Sequence, residues 1–163
     1  MERGLYPMIS YKLKKNQSQL VIIDVQERLL PVIANNKSIV KHSKLLLRCA
    51  QVLSIPVKYT EQYPKGLGPT VSDISDLLSP ETPRFEKVHF SCYDEPGFID
   101  FLGNERRQIV LAGIETHICI LATTLDLLKE GYQVVVALEA VGSRQEEHNL
   151  AALKAASQCG ALV

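Results

Sequence analysis

Three side chains with reactive groups lie in settings that suggest chemistry. Asp24 follows apolar residues in "VIIDVQ", Lys87 lies in "RFEKVHF", and Cys119 ends the segment "GIETHIC". A thiol can attack a carbonyl carbon when a carboxylate takes its proton and a nearby ammonium favours the thiolate. A buried cysteine on a helix is more often only a small apolar residue. The three residues together favour a hypothesis of cysteine-based acyl transfer.

The settings of Asp24 and Lys87 support this hypothesis. A carboxylate inside an apolar strand is costly to bury unless a cation pairs with it. Lys87 is the natural partner because it lies near the end of a predicted strand. The alternatives are a helix-capping or loop-pinning aspartate and an edge lysine that points to water.

Cys119 is predicted to lie in the first turn of a helix that Thr116 caps. The backbone N–H groups and the positive end of the helix dipole favour a thiolate there. A nearby Lys87 would lower the thiol pKa further, from an ordinary value of about 8.5. We therefore expect a thiolate at neutral pH. A dyad of Cys119 with His117 is disfavoured, because residues two apart on a helix point away from each other.

The elements that must position these residues alternate between strand and helix. Strands are predicted over residues 19–25, 55–62, 84–90, 108–112 and 132–138, with a possible sixth at 161–163. Helices or helical turns are predicted over residues 36–54, 71–78, 94–105, 116–129 and 144–157. The apolar stripe of the first helix is predicted to contain Ile39, Leu46, Cys49 and Leu53. This alternation predicts a three-layer α/β fold with a doubly wound parallel sheet of order 3-2-1-4-5-6.

In such a sheet, ligands bind beyond the carboxyl ends of the strands, between the first and fourth strands. Asp24 ends the first strand and Cys119 follows the fourth, so the two are expected to meet. The loop "PKGLGPT" has no third glycine at the offset of a dinucleotide-binding fingerprint, so we interpret it as a wall of the pocket. From their positions, four further residues are predicted to line the substrate pocket: Gln26, Gln62, Phe90 and Tyr93.

Composition limits the other possibilities. The 163 residues are 46% hydrophobic, which suits a single domain over residues 1–163, with residues 1–19 as a loose arm. Eighteen basic and eighteen acidic residues cancel, so no net charge favours nucleic acid. Apolar runs are too short to span a membrane. Four scattered cysteines and the lack of a recognisable secretion signal predict a cytoplasmic protein with free thiols. The four histidines lack the spacing of a metal site, so neither a metal nor a cofactor is expected.

The motifs "DVQ", "FEK" and "GIETHIC" resemble those of the isochorismatase-like cysteine hydrolases, which include nicotinamidases and carbamoylsarcosine amidases. The resemblance extends from Leu20 over almost the whole chain, with the motifs in the same order. It implies that Asp24 is the general base and acid, that Lys87 stabilises charge, and that Cys119 is the nucleophile. It also implies a homo-oligomer.

The resemblance further implies a cis peptide bond between Ile114 and Glu115, and an oxyanion hole made by the N–H groups of Glu115 and Cys119. The segment "TEQYPKG" lacks the aspartate and histidines that hold a metal in nicotinamidases, so neither a metal nor nicotinamide is expected. Cys119 also disfavours isochorismate hydrolysis, because the isochorismatases proper lack this cysteine.

The predicted function is metal-independent hydrolysis of a C–N bond in a small amide. One alternative is a binding protein that has lost turnover. The other is a redox-sensing thiol, because exposed cysteines of low pKa are also the ones that oxidants attack.

Overall fold

A single parallel sheet forms the centre of the protein, whose computed structural model describes residues 12–163. Residues 1–11, the first part of the predicted arm, lie outside the described residues. The strands are β1 (Ser18–Ile23), β2 (Val57–Gln62), β3 (Arg84–Lys87), β4 (Gln108–Ile114) and β5 (Gln133–Gly142). They lie in the order β3-β2-β1-β4-β5, and every neighbouring pair is parallel.

Helices cover both faces of this sheet. They are α1 (Asn36–Leu53), α2 (Pro64–Leu67), α3 (Ser72–Ser75), α4 (Phe98–Leu102), α5 (Leu121–Lys129) and α6 (Glu146–Gln158), with a 3-10 turn at Leu30–Val32 and a π-helical turn at Thr116–Ile120. The predicted doubly wound α/β fold is therefore confirmed. Within the described chain, the sixth strand is present only as a single parallel bridge between Leu162 and Val135 beside β5.

The core has two halves because successive residues of a strand point to opposite faces. In β1, Val21 and Ile23 pack with α5 and α6, whereas Leu20 and Ile22 pack with α1. Burial on both faces explains why the central strands are almost continuously apolar. The carboxyl ends of β1 and β4 are consequently held side by side at one edge.

Some predicted details of the elements are wrong. The buried face of α1 is formed by Ile39, Ser43, Leu47 and Ala50, whereas Cys49 and Leu53 are exposed and Leu46 is only partly buried. Because Leu45, Leu46 and Leu47 are consecutive, the sequence was compatible with two different apolar faces of α1. The face that contains Ser43 and Leu47 is the one that packs on the sheet.

Several predicted boundaries also differ from the observed ones. The predicted arm is too long, because β1 begins at Ser18 and the Lys14 N–H donates to Oε1 of Gln108 at 2.7 Å. The third strand ends at Lys87, three residues earlier than predicted. The backbone turns after that lysine.

Candidate active site

Asp24 lies immediately after β1, with its side chain fully buried. Its backbone is left-handed, with φ of 54°, a conformation that aspartate tolerates better than most residues. The Thr60 hydroxyl donates to Oδ1 at 2.6 Å, and the Asp24 N–H donates to the Thr60 carbonyl at 3.2 Å. β2 therefore fixes both the backbone and the carboxylate of Asp24.

Lys87 ends β3 and reaches inward as a fully buried cation. Its Nζ lies 2.7 Å from Oδ2 of Asp24 and donates to Oε1 of Gln62 at 2.5 Å. It also donates to the carbonyl oxygens of His89 at 3.2 Å and Phe90 at 3.4 Å. Burial, the largest single influence, lowers the pKa of Lys87, but the charge of Asp24 and the smaller effects of Cys92 and Cys119 together raise it above its ordinary value. The ammonium therefore stays charged.

Cys119 lies in the π-helical turn that follows β4, and its Sγ is 3.6 Å from Nζ of Lys87. Only 7% of the residue is exposed. Burial and the adjacent Asp24 carboxylate raise the pKa of the thiol to about 12, and Lys87 offsets this only in part. The predicted thiolate at neutral pH is therefore wrong. The resting group is a thiol hydrogen-bonded to Asp24 beside a closed ion pair.

The chain from the last residues of β4 to Cys119 is unusually tight. Gly113 has φ of 124°, and a Cβ there would lie 1.9 Å from the carbonyl oxygen of Ile23. The following peptide bond, Ile114–Glu115, is cis. The Glu115 carbonyl accepts hydrogen bonds from the N–H groups of Ile118 and Ile120. Cys119 lies between these two donors, in a π-helical turn of the kind often found at functional sites.

The structure corrects the predicted cap of this helix. Glu115, not Thr116, is the N-cap residue, and it makes no side-chain capping bond. Thr116 is the first helical residue, and its buried hydroxyl has no hydrogen-bond partner among the described residues. The Glu115 carboxylate instead accepts bonds from Nε of Arg144 at 2.9 Å and from the Arg144 N–H at 3.1 Å. That carboxylate is therefore paired with a cation.

The four residues predicted to line the pocket differ in position. Gln62 contacts Lys87 directly. Gln26 is fully buried and ties neighbouring loops together, because its amide donates to the carbonyls of Gln62 and Gly68 and accepts from the Gln62 N–H. Its role in lining the pocket stays a prediction. Phe90 turns its carbonyl to Lys87, while 64% of the residue is exposed.

The Tyr93 hydroxyl lies at the opposite end of α5 from Cys119. Its ring packs against the core on the α5 side, and its hydroxyl is hydrogen-bonded to Glu130. Glu130 follows the carboxyl end of α5, whereas Cys119 precedes the amino end of that helix. The length of α5 therefore separates the Tyr93 hydroxyl from the thiol.

Sequence reasoning missed two residues beside the cluster. Thr60 is the register partner of Ile23, the residue before Asp24, so an alignment of β1 with β2 could have found it. Cys92 is fully buried, and burial followed by the charge of Asp24 raises its pKa to about 12. No spacing in the sequence identified Cys92. Its N–H donates to the Thr123 hydroxyl at 2.9 Å.

The imidazole of His117 contacts Ser143 and His148. Nδ1 of His117 is 2.9 Å from the Ser143 hydroxyl, and its ring packs 4.8 Å from that of His148. Over residues 12–163, no group of three or more histidine, cysteine, aspartate or glutamate side chains is arranged to hold a metal ion. No helix in the same range is long and apolar enough to cross a membrane.

The fold and the site together define a doubly wound α/β protein with a buried Asp–Lys–Cys cluster at the topological switch point. Residues 18–163 match the Isochorismatase domain, and the chain belongs to the isochorismatase family. It is 36% identical to Isochorismatase family protein 1A of Dictyostelium discoideum, over 93% of this chain and 75% of that protein. It is 38% identical to human Isochorismatase domain-containing protein 2, over 90% of this chain and 70% of that protein.

Solved structures agree with this assignment. The structure of MAR1 ribonuclease from Caenorhabditis elegans has a TM-score of 0.87 and 39% identity, over 93% of this chain and 78% of that one. The YcaC gene product of Escherichia coli, described as an octameric hydrolase of unknown specificity, has a TM-score of 0.85. At 24% identity, over 93% of this chain and 76% of that one, YcaC shows only that the fold is shared.

Proposed function

We propose that the protein is a metal-independent cysteine hydrolase that cleaves the C–N bond of a small amide with Asp24, Lys87 and Cys119. One observation carries the proposal: a single buried ammonium lies 2.7 Å from the carboxylate and 3.6 Å from the thiol. The family adds support, because its fold is that of hydrolases.

Acylation begins from a neutral thiol. Because the pKa of Cys119 is about 12, its proton moves to Asp24 while Sγ attacks the carbonyl carbon of the substrate. The oxyanion of the tetrahedral intermediate would be held by the N–H groups of Glu115 and Cys119. Lys87 keeps its proton and stabilises the negative charge that passes between sulfur and carboxylate.

Asp24 then donates the proton to the leaving nitrogen, the C–N bond breaks, and the amine or ammonia departs from a thioester. Water attacks the thioester as Asp24 accepts a proton from it. The C–S bond breaks, the sulfur regains a proton from Asp24, and the carboxylic acid leaves. Atoms and charges balance without a metal or cofactor.

The burial of the cluster favours a small substrate. Asp24 and Lys87 are completely covered, and only a small part of Cys119 is exposed. The similarity to a MAR1 ribonuclease makes RNA the rival substrate. A polynucleotide would have to open this edge of the sheet before a phosphate reached the thiol, so the geometry favours the amide.

Two further parts of the proposal concern the setting of the enzyme. A homo-oligomer is supported by the octameric neighbour. A cytoplasmic location is supported by four free cysteines, of which Cys49 and Cys159 are exposed, since exposed thiols persist in reducing compartments. Light scattering and fractionation test these two points.

A panel of small primary and secondary amides, assayed for released ammonia or amine, tests the main proposal, with a short RNA as the rival substrate. We expect turnover of at least one amide, and a loss of about 10³-fold or more in Cys119→Ala and in Asp24→Asn. Cys49→Ala, a change of an exposed thiol on α1, should leave turnover intact. Unchanged turnover in Cys119→Ala would refute the triad.

The same variants separate the alternatives. Binding of an amide without turnover would favour a protein that has lost catalysis. Fast and reversible oxidation of Cys119 by peroxide would favour a redox sensor. The raised pKa of Cys119 argues against the sensor, because oxidants attack the thiolate.

A further inference from the structure

The short segment of residues 88–90 follows β3 and forms one wall around the Lys87 ammonium. Two backbone carbonyls of this segment, those of His89 and Phe90, accept hydrogen bonds from Nζ at 3.2 and 3.4 Å. The segment belongs to no helix or strand. Something other than regular secondary structure must therefore hold these carbonyls toward the ammonium.

Glu95 holds the segment from one side. Its Oε2 accepts bonds from the Val88 N–H at 2.7 Å and the His89 N–H at 3.1 Å, and lies 2.8 Å from Nδ1 of His89. These hydrogen bonds, first that of Val88, lower the pKa of Glu95 to about 2. A charged acceptor therefore binds two successive backbone N–H groups, which fixes the orientation of the intervening peptide.

Gln62 holds the segment from the other side. Its amide nitrogen donates to the Val88 carbonyl at 2.7 Å, while its Oε1 accepts from Nζ of Lys87. The peptide between Val88 and His89 is thus held at its N–H by Glu95 and at its carbonyl by Gln62, a side chain that itself contacts the ammonium.

We propose that Glu95 is a positioning residue for Lys87: by fixing residues 88–90, it keeps the carbonyls of His89 and Phe90 on the ammonium and holds that ammonium beside Cys119. Its catalytic consequence rests on the proposed function. The positioning itself does not, since it concerns the distance between Nζ and Sγ. Glu95 does not touch the thiol and has no chemical step.

The sign of the effect on the Cys119 thiol distinguishes positioning from simple electrostatics. If Lys87 moves away from Sγ, the thiolate loses its cation and Cys119 becomes less reactive. If Glu95 acted only through its negative charge, removing that charge would stabilise the thiolate and make Cys119 more reactive. Residues that face Cys119 and contribute charge or a second thiol are Asp24, Lys87 and Cys92.

The test is the rate of iodoacetamide labelling of Cys119 between pH 7 and 9.5, read by peptide mass spectrometry. Glu95→Ala removes the acceptor, Glu95→Asp keeps the charge but shortens the reach, and Glu95→Gln keeps both length and an acceptor oxygen. We expect Glu95→Ala and Glu95→Asp to label about tenfold more slowly at every pH, a rise of about one unit in the thiol pKa. Glu95→Gln should stay within about twofold of the wild type.

Asp94→Ala is the matched control, because Asp94 is the exposed neighbouring acid and no side-chain hydrogen bond is found for it in the described part of the chain. It should label like the wild type. Circular dichroism of each variant verifies folding, and Glu95→Gln and Glu95→Asp keep the test valid if Glu95→Ala does not fold.

Unchanged or faster labelling in Glu95→Asp and Glu95→Ala would overturn the proposal, as would a slowing in Glu95→Gln equal to that in Glu95→Ala. No amide is needed, so the outcome is separate from that of the turnover assay. Slower labelling in a protein that hydrolyses no amide would contradict the proposed function alone.

Discussion

Oδ2 of Asp24 and Nζ of Lys87 lie 2.7 Å apart, and both side chains are completely removed from solvent. Desolvation of two charges is costly, and their attraction repays it only when the geometry is good and other partners are present. Thr60 supplies such a partner to the carboxylate, and Gln62 supplies one to the ammonium. The pair is thus part of a connected polar cluster at the edge of the sheet.

Removing one partner of this ion pair should destabilise the protein more, per substitution, than replacing both partners together. Asp24→Asn and Lys87→Met should each lower the free energy of unfolding by about 3–5 kcal/mol, because each leaves one buried charge without its partner. The double variant Asp24→Asn/Lys87→Met should lose less than the sum of the two. Urea unfolding of all four proteins measures the coupling, and strictly additive losses would contradict the buried ion pair.

Gly113 should tolerate no side chain. Its φ is 124°, and a Cβ would lie 1.9 Å from the Ile23 carbonyl oxygen, which is backbone and cannot rotate away. Gly113→Ala should therefore cost more than about 3 kcal/mol through strain and a displaced β1.

Gly160→Ala is the matched control for that change. Gly160 also has a positive φ, of 106°, but nothing lies within 4 Å of its Cβ position. It should cost only about 1–2 kcal/mol. Urea unfolding measures the loss in free energy of unfolding for each variant. Equal losses would show that the close approach of Gly113 to the Ile23 carbonyl of β1 is unimportant.

Much of the fold was predictable because the sequence pattern is local. Continuous apolar strands alternating with amphipathic stretches indicate a parallel sheet, and the strand order then places Asp24 and Cys119 at one switch point. The structure confirms that arrangement of strands.

What failed depended on packing between distant segments. The charge state of Cys119 was wrong because burial and Asp24 together outweigh Lys87, and burial cannot be read from spacing. The direction of the Tyr93 side chain could not be predicted because its partner Glu130 is remote in sequence. The pairing of Glu115 with Arg144 likewise joins two turns that only the folded sheet brings together.

Thr60→Val should weaken the site while nearly preserving side-chain volume. The valine removes the hydroxyl that donates to Oδ1 of Asp24 at 2.6 Å, and hydrogen bonds to charged groups contribute about 1.5–3 kcal/mol. We expect a loss of that size in urea unfolding, together with reduced turnover of any amide substrate. Thr82→Val, which changes a partly buried threonine away from the cluster, should have little effect.

Cys119 should show no titration near neutral pH. Because its pKa is about 12, the rate of iodoacetamide labelling should rise about tenfold per pH unit from pH 7 to 9.5, without a plateau. Lys87→Met should slow labelling further, since the cation that offsets burial is gone. Cys49 is exposed and serves as the internal comparison. A plateau in the labelling rate of Cys119 below pH 8 would show that Cys119 is a thiolate near neutral pH, as the sequence predicted.

Glu95 should contribute stability that acid removes. Its pKa is lowered from 4.5 to about 2 by the bonds from Val88 and His89, so the folded protein binds this proton less readily than the unfolded chain. The contribution is therefore present above about pH 4.5 and is lost as the pH falls through about 2. Melting temperatures of wild type and Glu95→Gln should differ most at neutral pH and converge as the pH falls from 4.5 toward 2. A difference in melting temperature that stays constant from pH 4.5 to 2 would show that the negative charge of Glu95 does not strengthen its bonds to Val88 and His89.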